Sequence, residues 1–425
     1  MLQTLKNAWV IKEIRNKILY TIMILLIFRV GSVIPVPFVD LAALKAVEGT
    51  NEFFSYLSVL TGGGLEYGAI LALSVTPYIN SSIIVQLLTV VFKRLQEWSK
   101  EGEEGQKKLA QLTRWATVVL ALIQSVAFYI YLKNSKFLTV KGTGAYWFAG
   151  IVIVLTLTAG SALVMWLGER IDEKGVGNGI SMILFAGILS RGPQAFASLW
   201  INAVEMGKWA AVIGIILIFL VIVMFVVWMT HAERRIPIQY AKRVVGNKMY
   251  GGQNTHIPIK VNMSGVMPII FASSILMLPT MVLSFMKNTT STLYKILSLF
   301  SVQGTFYAII YFLLIIGFAY FYATIQFNPV EMANNLRKNG GAIPGIRPGQ
   351  PTTDFISKIL SRITLLGALF LSVIAILPIV IGNVGQINVS IGGTSLLIMV
   401  GVALDLVRSL ESQMMMRHYK GFLDS

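Results

Sequence analysis

Cysteine is absent from the 425 residues, which excludes a disulfide framework, a thiolate nucleophile and a cysteine-ligated metal site. Histidine occurs three times, at His231, His256 and His418, too scattered to suggest a metal cluster. Charged residues make up 13% of the chain against 55% hydrophobic ones, and the mean hydropathy is +0.72. That balance excludes a soluble globule and describes a polytopic membrane protein. A GxxxxGK[ST] loop is missing, so any energy source must lie in a partner. Carboxylates are scarce within the apolar stretches, where Glu169 and Asp405 stand at the edges. That argues against an ion-coupled secondary transporter, which places acids near the bilayer midplane. An intramembrane enzyme needs a nucleophile with its base, or metal ligands, inside the spans; the histidines lie outside them.

What is present is apolar sequence in blocks. A span needs about 20 mostly apolar residues to cross roughly 30 Å of hydrocarbon. Ten stretches qualify: 18–36, 70–92, 115–132, 146–168, 175–191, 209–230, 263–286, 305–327, 363–381 and 394–412. The basic start lacks a small-residue cleavage site and reads as a first span, not a removed signal peptide. With both termini in the cytoplasm, 26 of the 35 Lys and Arg fall in inner segments and 8 in outer ones. This asymmetry orients the chain and absorbs the net charge of +16. The remaining basic residue, Arg29, lies in the outer half of the first span, where it can snorkel and serve a structural role.

The stretch 61–92 is an odd span. Three glycines (Gly62, Gly63, Gly64) precede it, Pro77 falls near its middle, and Thr76, Asn80, Ser81, Ser82 and Gln86 run through it. Unpaired polar groups in hydrocarbon cost several kcal/mol, so one face of this helix meets protein or water. Inner loops 231–262 and 328–358 are basic, rich in Pro and Gly, and at about 30 residues longer than a helical connection needs. That length favours docking surfaces over plain charge retention. The spans divide five and five, and Pro77-Tyr-Ile-Asn-Ser-Ser-Ile is weakly echoed by Pro268-Ile-Ile-Phe-Ala-Ser-Ser-Ile in the second span of the other half. An odd number of spans per half is the inverted-repeat plan.

Several long motifs then carry a resemblance. They are TPYINSSIIVQLLT from Thr76, GNGISMILFAG from Gly177, RRIPIQYAKR from Arg234, THIPIKVNMSGVMPIIFASSI from Thr255, FNPVEMANNLRKNGGAIPGIRPG from Phe327 and GGTSLLIMVGVALD from Gly392. In this order and over essentially the whole chain, the sequence resembles the SecY family, the central subunit of the bacterial protein-conducting channel. The resemblance implies an all-α polytopic fold of ten transmembrane helices in two pseudo-symmetric inverted halves, spans 1–5 (18–191) and 6–10 (209–412), around a central pore. An external loop at 192–208 would be the hinge, with cytoplasmic segments at 1–17 and 413–425. A lateral gate between the second and seventh spans would open into membrane lipid. SecE and SecG would complete a SecYEG complex in the bacterial plasma membrane. The SecA motor, or the ribosome through its RNA, would drive signal sequences and nascent polypeptides through it.

The resemblance also assigns residues. A channel for unfolded chains needs a constriction that offers ions no ligands. The ring so implied is Val75, Ile79, Ile180, Leu184, Ile270 and Ile398; singly, each is an ordinary packing residue of an apolar helix. Residues 53–67 would be the plug, with Phe53, Phe54, Leu57 and Leu60 on a short helix and Gly62, Gly63 and Gly64 as its tether. Without the family, that segment reads as an amphipathic helix on the outer membrane surface. The gate lining would be Asn80, Ile83, Ile84 and Gln86 against Ser274, Met277 and Leu278, with Pro77, Pro268 and Pro279 loosening the helices nearby. The competing view is static packing of buried polar residues. Arg234, Arg235, Lys242 and Arg243, with Arg337, Lys338 and Arg347, would dock the polyanionic ribosome or SecA. No cofactor is implied.

Overall fold

A computed structural model describes residues 8–48, 63–65, 67–140, 142–204, 209–240, 243–245, 248–250, 255–263, 265–285, 292–300, 304–385 and 393–420. The helices, in chain order, begin with α1 (Lys12–Gly31), α2 (Leu41–Glu48), α3 (Thr76–Val91), α4 (Lys93–Lys100) and α5 (Glu103–Asn134). They continue with α6 (Thr143–Lys174), α7 (Gly179–Ser190), α8 (Gly192–Val204), α9 (Trp209–His231) and α10 (Met267–Phe285). The last are α11 (Thr292–Ser298), α12 (Thr305–Gln326), α13 (Pro329–Lys338), α14 (Gln350–Gly385) and α15 (Gly393–Lys420). Each of the ten expected spans overlaps one of these helices. By length and composition, Glu103–Asn134, Gly144–Lys174, Val212–His231, Phe306–Lys338 and Gln350–Leu377 are able to cross a membrane. Thr76–Val91 and Met267–Leu276 are shorter apolar helices.

Three local features differ from the reading of the sequence. Residues 192–204, expected as a connecting loop, form α8. The loop 231–262 carries strands: β1 (Glu233–Tyr240), β2 (Arg243–Val245), β3 (Lys248–Tyr250) and β4 (Thr255–Lys260). Two of the three prolines do not loosen a helix. Pro77 stands in the first turn of α3 and Pro268 is the second residue of α10, where a missing N–H interrupts no intrahelical bond. Pro279 alone of the three lies inside its helix.

The chain forms two compact units. The first comprises Met1–Lys208, Met277–Val302 and Val402–Ser425, and the second Trp209–Leu276 and Gln303–Gly401. In the first, α3 packs on α5, α5 on α6, α6 on α7, and α1 on both α6 and α7. Its core joins Val36, Val39 and Leu65 to Phe128, Leu132, Ile153 and Leu157. A second cluster sets Ala8 and Ile14 against Val176 and Leu410, so the C-terminal part of α15 packs beside the start of α1. Glycines permit the close approaches. A Cβ on Gly179 would stand 2.0 Å from the Gly168 carbonyl oxygen, so only bare backbone lets α7 return along α6.

In the second unit α12 and α13 pack on α14. β1 runs antiparallel to β4 with Ile236 opposite Ile257, and on its other edge pairs with β5 (Gly341–Ala342). The sheet order β4-β1-β5 joins the loops after the sixth and eighth spans (the sixth loop, 231–262, and the eighth, 328–358) in one structure. Ile236, Ile238 and Ile259 point from it onto Leu336, Ile343, Ile356 and Leu360. A sheet with one covered face is stable where an isolated hairpin is marginal.

Candidate functional site

The centre of interest is α3 and its approach. Val36 N–H donates to the Gly68 carbonyl at 2.8 Å and Ile70 N–H to the Ile34 carbonyl at 2.9 Å, so the chain after α1 holds the chain before α3. Residues 70–75, expected as the start of a helical span, are turns instead. Their amides bond three residues back: Ala72 to Ala69, Ser74 to Leu71 and Thr76 to Leu73. Ser74 holds φ at 49°, a left-handed value that a side chain adopts at some cost. Leu71, Ala72, Ser74 and Val75 are all buried. Gly160 of α6 makes room for this segment, because a Cβ there would lie 2.1 Å from the Ile70 carbonyl oxygen.

Of the ring residues in the first unit, Val75 is 1% exposed and caps α3. Ile79 lies one turn further, half-buried, its N–H bonded to the Val75 carbonyl at 3.0 Å. Leu184 of α7 is buried, while half-buried Ile180 directs its Cδ1 toward the notch over Gly168. In the second unit Ile398 of α15 is buried and Ile270 of α10 half-buried. Phe53, Phe54, Leu57, Leu60 and Gly62 lie outside the described residues. Gly63 and Gly64 are buried, and Gly64 accepts from Ala69 N–H at 2.9 Å.

Helical spacing puts Asn80, Ile83 and Ile84 on one face of α3. Asn80 is half-buried, Ile83 buried and Ile84 exposed. Gln86 lies around the helix from that face and is also half-buried. Ser274 of α10 is half-buried; Met277 and Leu278 belong to α10, but their side chains lie outside the described set. The polar stripe has partners of its own. Ser81, fully buried, donates to the Thr113 carbonyl of α5 at 2.8 Å, and that oxygen also accepts from Thr117 Oγ1 at 2.7 Å. Thr89 Oγ1 donates to the Gln86 carbonyl at 2.6 Å.

The turn from α6 to α7 is the most tightly tied part of the first unit. The Asn178 side chain caps α7 by accepting from Ser181 N–H at 3.0 Å. Asp172 Oδ1 accepts from Gly179 N–H at 2.7 Å, and Thr21 Oγ1 of α1 accepts from Val176 N–H at 3.1 Å. Although Asp172 is exposed as a residue, partial burial of its carboxyl raises its pKa above the ordinary carboxylate value. The Gly179 N–H opposes that shift, and Glu169 and Glu173 add to it. Arg114 of α5 reaches Glu169 with Nε to Oε1 at 2.6 Å, joining α5 to α6 at the same end.

The second assembly is the basic face of the sheet. Along β1, Ile236 and Ile238 are buried while Arg235, Pro237 and Gln239 are exposed. Arg234 is exposed as well, and Arg235 pairs with Glu233 at 2.7 Å. Arg243 opens β2 opposite Tyr250, and Lys242 lies outside the described residues. Exposed Arg337 and Lys338 close α13, where cations complement the helix dipole. Arg347 is exposed between Gly345 and Gly349, whose φ values are 81° and 106°. Thr352, buried at the start of α14, donates to the Arg347 carbonyl at 2.9 Å and fixes that backbone. The reading of the sequence missed the β1–β5 pairing that unites the loops, because it joins residues far apart along the chain.

The chain is similar to known proteins along its whole length. The profile of the SecY family matches residues 69–407. Protein translocase subunit SecY of Thermotoga maritima is 42% identical over 432 residues, covering 100% of this chain and 98% of that protein. The protein of the same description from Bacillus subtilis is 42% identical over 441 residues, covering both chains in full. Among solved structures, one described as a protein conducting channel aligns with a TM-score of 0.62 at 15% identity, covering 94% of this chain and 92% of that one. Sec61 in a canine ribosome-channel complex aligns at 0.58 and 14% identity, over 94% and 92%.

Proposed function

This chain belongs to the SecY family and is the channel subunit of a protein translocase, and from that premise we propose how its parts work. It is a multi-pass membrane protein that conducts unfolded polypeptides; its place is the bacterial plasma membrane with both termini inside. Val75, Ile79, Ile180, Leu184, Ile270 and Ile398 form the seal around the translocating chain, aliphatic because a seal must yield to any polypeptide and give ions no ligands. The plug, residues 53–67, closes the resting channel from its tether of Gly62, Gly63 and Gly64. The faces of α3 and α10 carrying Asn80, Ile83 and Ser274 part to release apolar signal helices into lipid, a weak polar seam being easier to separate than interlocked aliphatics.

The driving partners dock on the sheet of the sixth and eighth loops, and SecE and SecG complete the complex. The observation that carries this reading is the pairing of Gln239 with Ala342 and of Tyr240 with Gly341, which makes one platform of two loops. Arg234, Arg235, Arg337, Lys338 and Arg347 stand exposed on that platform. A platform of this kind suits the SecA motor or the ribosome, and the Sec61 relative was solved on a ribosome. Reconstitution with SecE and SecA tests the whole reading: ATP-dependent import of a precursor protein is the expected result. Uptake of small solutes without import would reverse it. Arg347→Glu, which keeps the Thr352 bond to the backbone, is expected to abolish SecA-driven import while the purified protein remains folded.

A further inference from the structure

Just past β4, where the docking sheet returns to α10, the chain passes a small cavity lined by Val261, Asn262, Met263, Ala323, Thr364 and Gly367. Gly367 of α14 brings the walls together, because a Cβ there would meet the Val261 carbonyl oxygen at 2.4 Å. Val261 N–H in turn donates to the Ala232 carbonyl at 2.9 Å and closes the base of the sheet. Two polar atoms of this lining, Asn262 Oδ1 and Thr364 Oγ1, are buried and meet no protein hydrogen-bond partner among the described residues. Thr364 is 4% exposed. A threonine in a helix has a ready acceptor in the carbonyl four residues back, and Thr117, Thr156 and Thr230 use theirs. Thr364 does not, so its hydroxyl is kept for something else.

We propose that Asn262 and Thr364 hold one buried water molecule, which bridges the base of the docking sheet to α14. The size fits: the cavity leaves about 10 Å³ for the centre of a water-sized sphere. A buried water needs about 10–15 Å³ on that measure, and two to four polar partners. The chemistry fits as well. Water donates to Asn262 Oδ1 and exchanges a bond with the Thr364 hydroxyl, which both donates and accepts. An apolar ligand of that size would leave both oxygens unsatisfied, and a cation would find only two neutral oxygens. The neck between sheet and spans is thereby stiffened by a solvent molecule at a point the sequence leaves to small residues.

Two measurements on the full-length chain with its partner subunits decide the matter. In a density map that resolves other buried waters, one peak is expected about 2.5–3.0 Å from both oxygens. No peak there, or Asn262 and Thr364 bonded directly to each other or to backbone, overturns the proposal. Thr364→Val preserves shape and removes the hydroxyl, and is expected to lower the midpoint of thermal inactivation by about 2 °C, with Thr364→Ser close to the parent. If no water is bound, Thr364→Val removes an unsatisfied hydroxyl and leaves the midpoint unchanged or raised, which refutes the bridge.

Discussion

Replacing Gly160 by alanine is the sharpest test of how α3 is approached. The added Cβ would lie 2.1 Å from the Ile70 carbonyl oxygen and 3.4 Å from Ile70 Cγ2. Carbon-to-carbonyl contacts settle at about 3.3–3.6 Å, so backbone must move by about 1.2 Å on one side. No rotamer relieves this, because both partners are main chain. Overpacking of this kind costs about 1–3 kcal/mol, and alanine returns about 1 kcal/mol of helix propensity relative to glycine. The net expectation is a loss of up to about 2 kcal/mol, centred on the turns that carry Val75. Ion conductance across planar bilayers should rise in the absence of substrate, and thermal inactivation should come earlier. Gly317→Ala in α12 is the control, since nothing lies within 4 Å of a Cβ there. If Gly160→Ala matched Gly317→Ala in both assays, the seat over Gly160 would have no part in holding the channel closed.

Polar replacement of Ile79, as Ile79→Asn, should raise ion leak and let defective signal sequences through; conductance and signal selectivity at parental values would argue against a constriction at α3. Ser81→Ala removes a buried bond between α3 and α5 but leaves the Thr113 carbonyl its bond from Thr117, so the cost is expected near the low end, about 0.5 kcal/mol. A loss above about 2 kcal/mol in a denaturant series would contradict that division. Asp172 titrates above its ordinary value, so its charged form destabilises the fold once pH exceeds the unfolded pKa, and stability returns as pH falls through the folded one. Asp172→Asn keeps an acceptor for Gly179 N–H without the charge that Glu169 and Glu173 repel, and should match or exceed the parent at pH 7. Asp172→Ala loses the bond and should be weaker by about 1 kcal/mol; equal damage from both would refute the assignment.

The spans were legible because hydrocarbon demands long apolar runs, and each such run contains most of a helix or overlaps one. The family was legible from uninterrupted motifs such as Thr76 to Thr89. Local backbone was harder. Pro77 stands amid apolar residues and reads as a mid-span kink, because hydropathy cannot tell a helix from buried turns at the same depth. The strand in the sixth loop was hidden by its charge and by Pro237, which β1 accommodates opposite His256. Pairing of β1 with β5 joins residues about a hundred positions apart, which no local pattern encodes. Ser81 read only as part of a polar stripe and is bonded to α5; its partner is a carbonyl, which every residue carries, so sequence gives no sign of it.

The placement of the two prolines bears on mechanism. α3 holds 16 residues, about 24 Å of helix against roughly 30 Å of hydrocarbon. The shortfall is made up by residues 70–75, whose backbone is irregular. Irregular backbone at membrane depth survives only where protein or water covers it. Here protein does: the turns bond internally, Leu71 through Val75 are largely buried, and α6 offers bare backbone at Gly160. The weak echo between the halves gains physical meaning from the same fact. Pro77 and Pro268 both fall in the first turn of their helices, so α3 and α10 both start where proline sets φ and withdraws a donor. A helix begun this way depends on few main-chain bonds to the segment before it. Val75 at the N-cap of α3 therefore stands between turns anchored to the chain after α1 and to α6 on one side and a helix packed on α5 on the other.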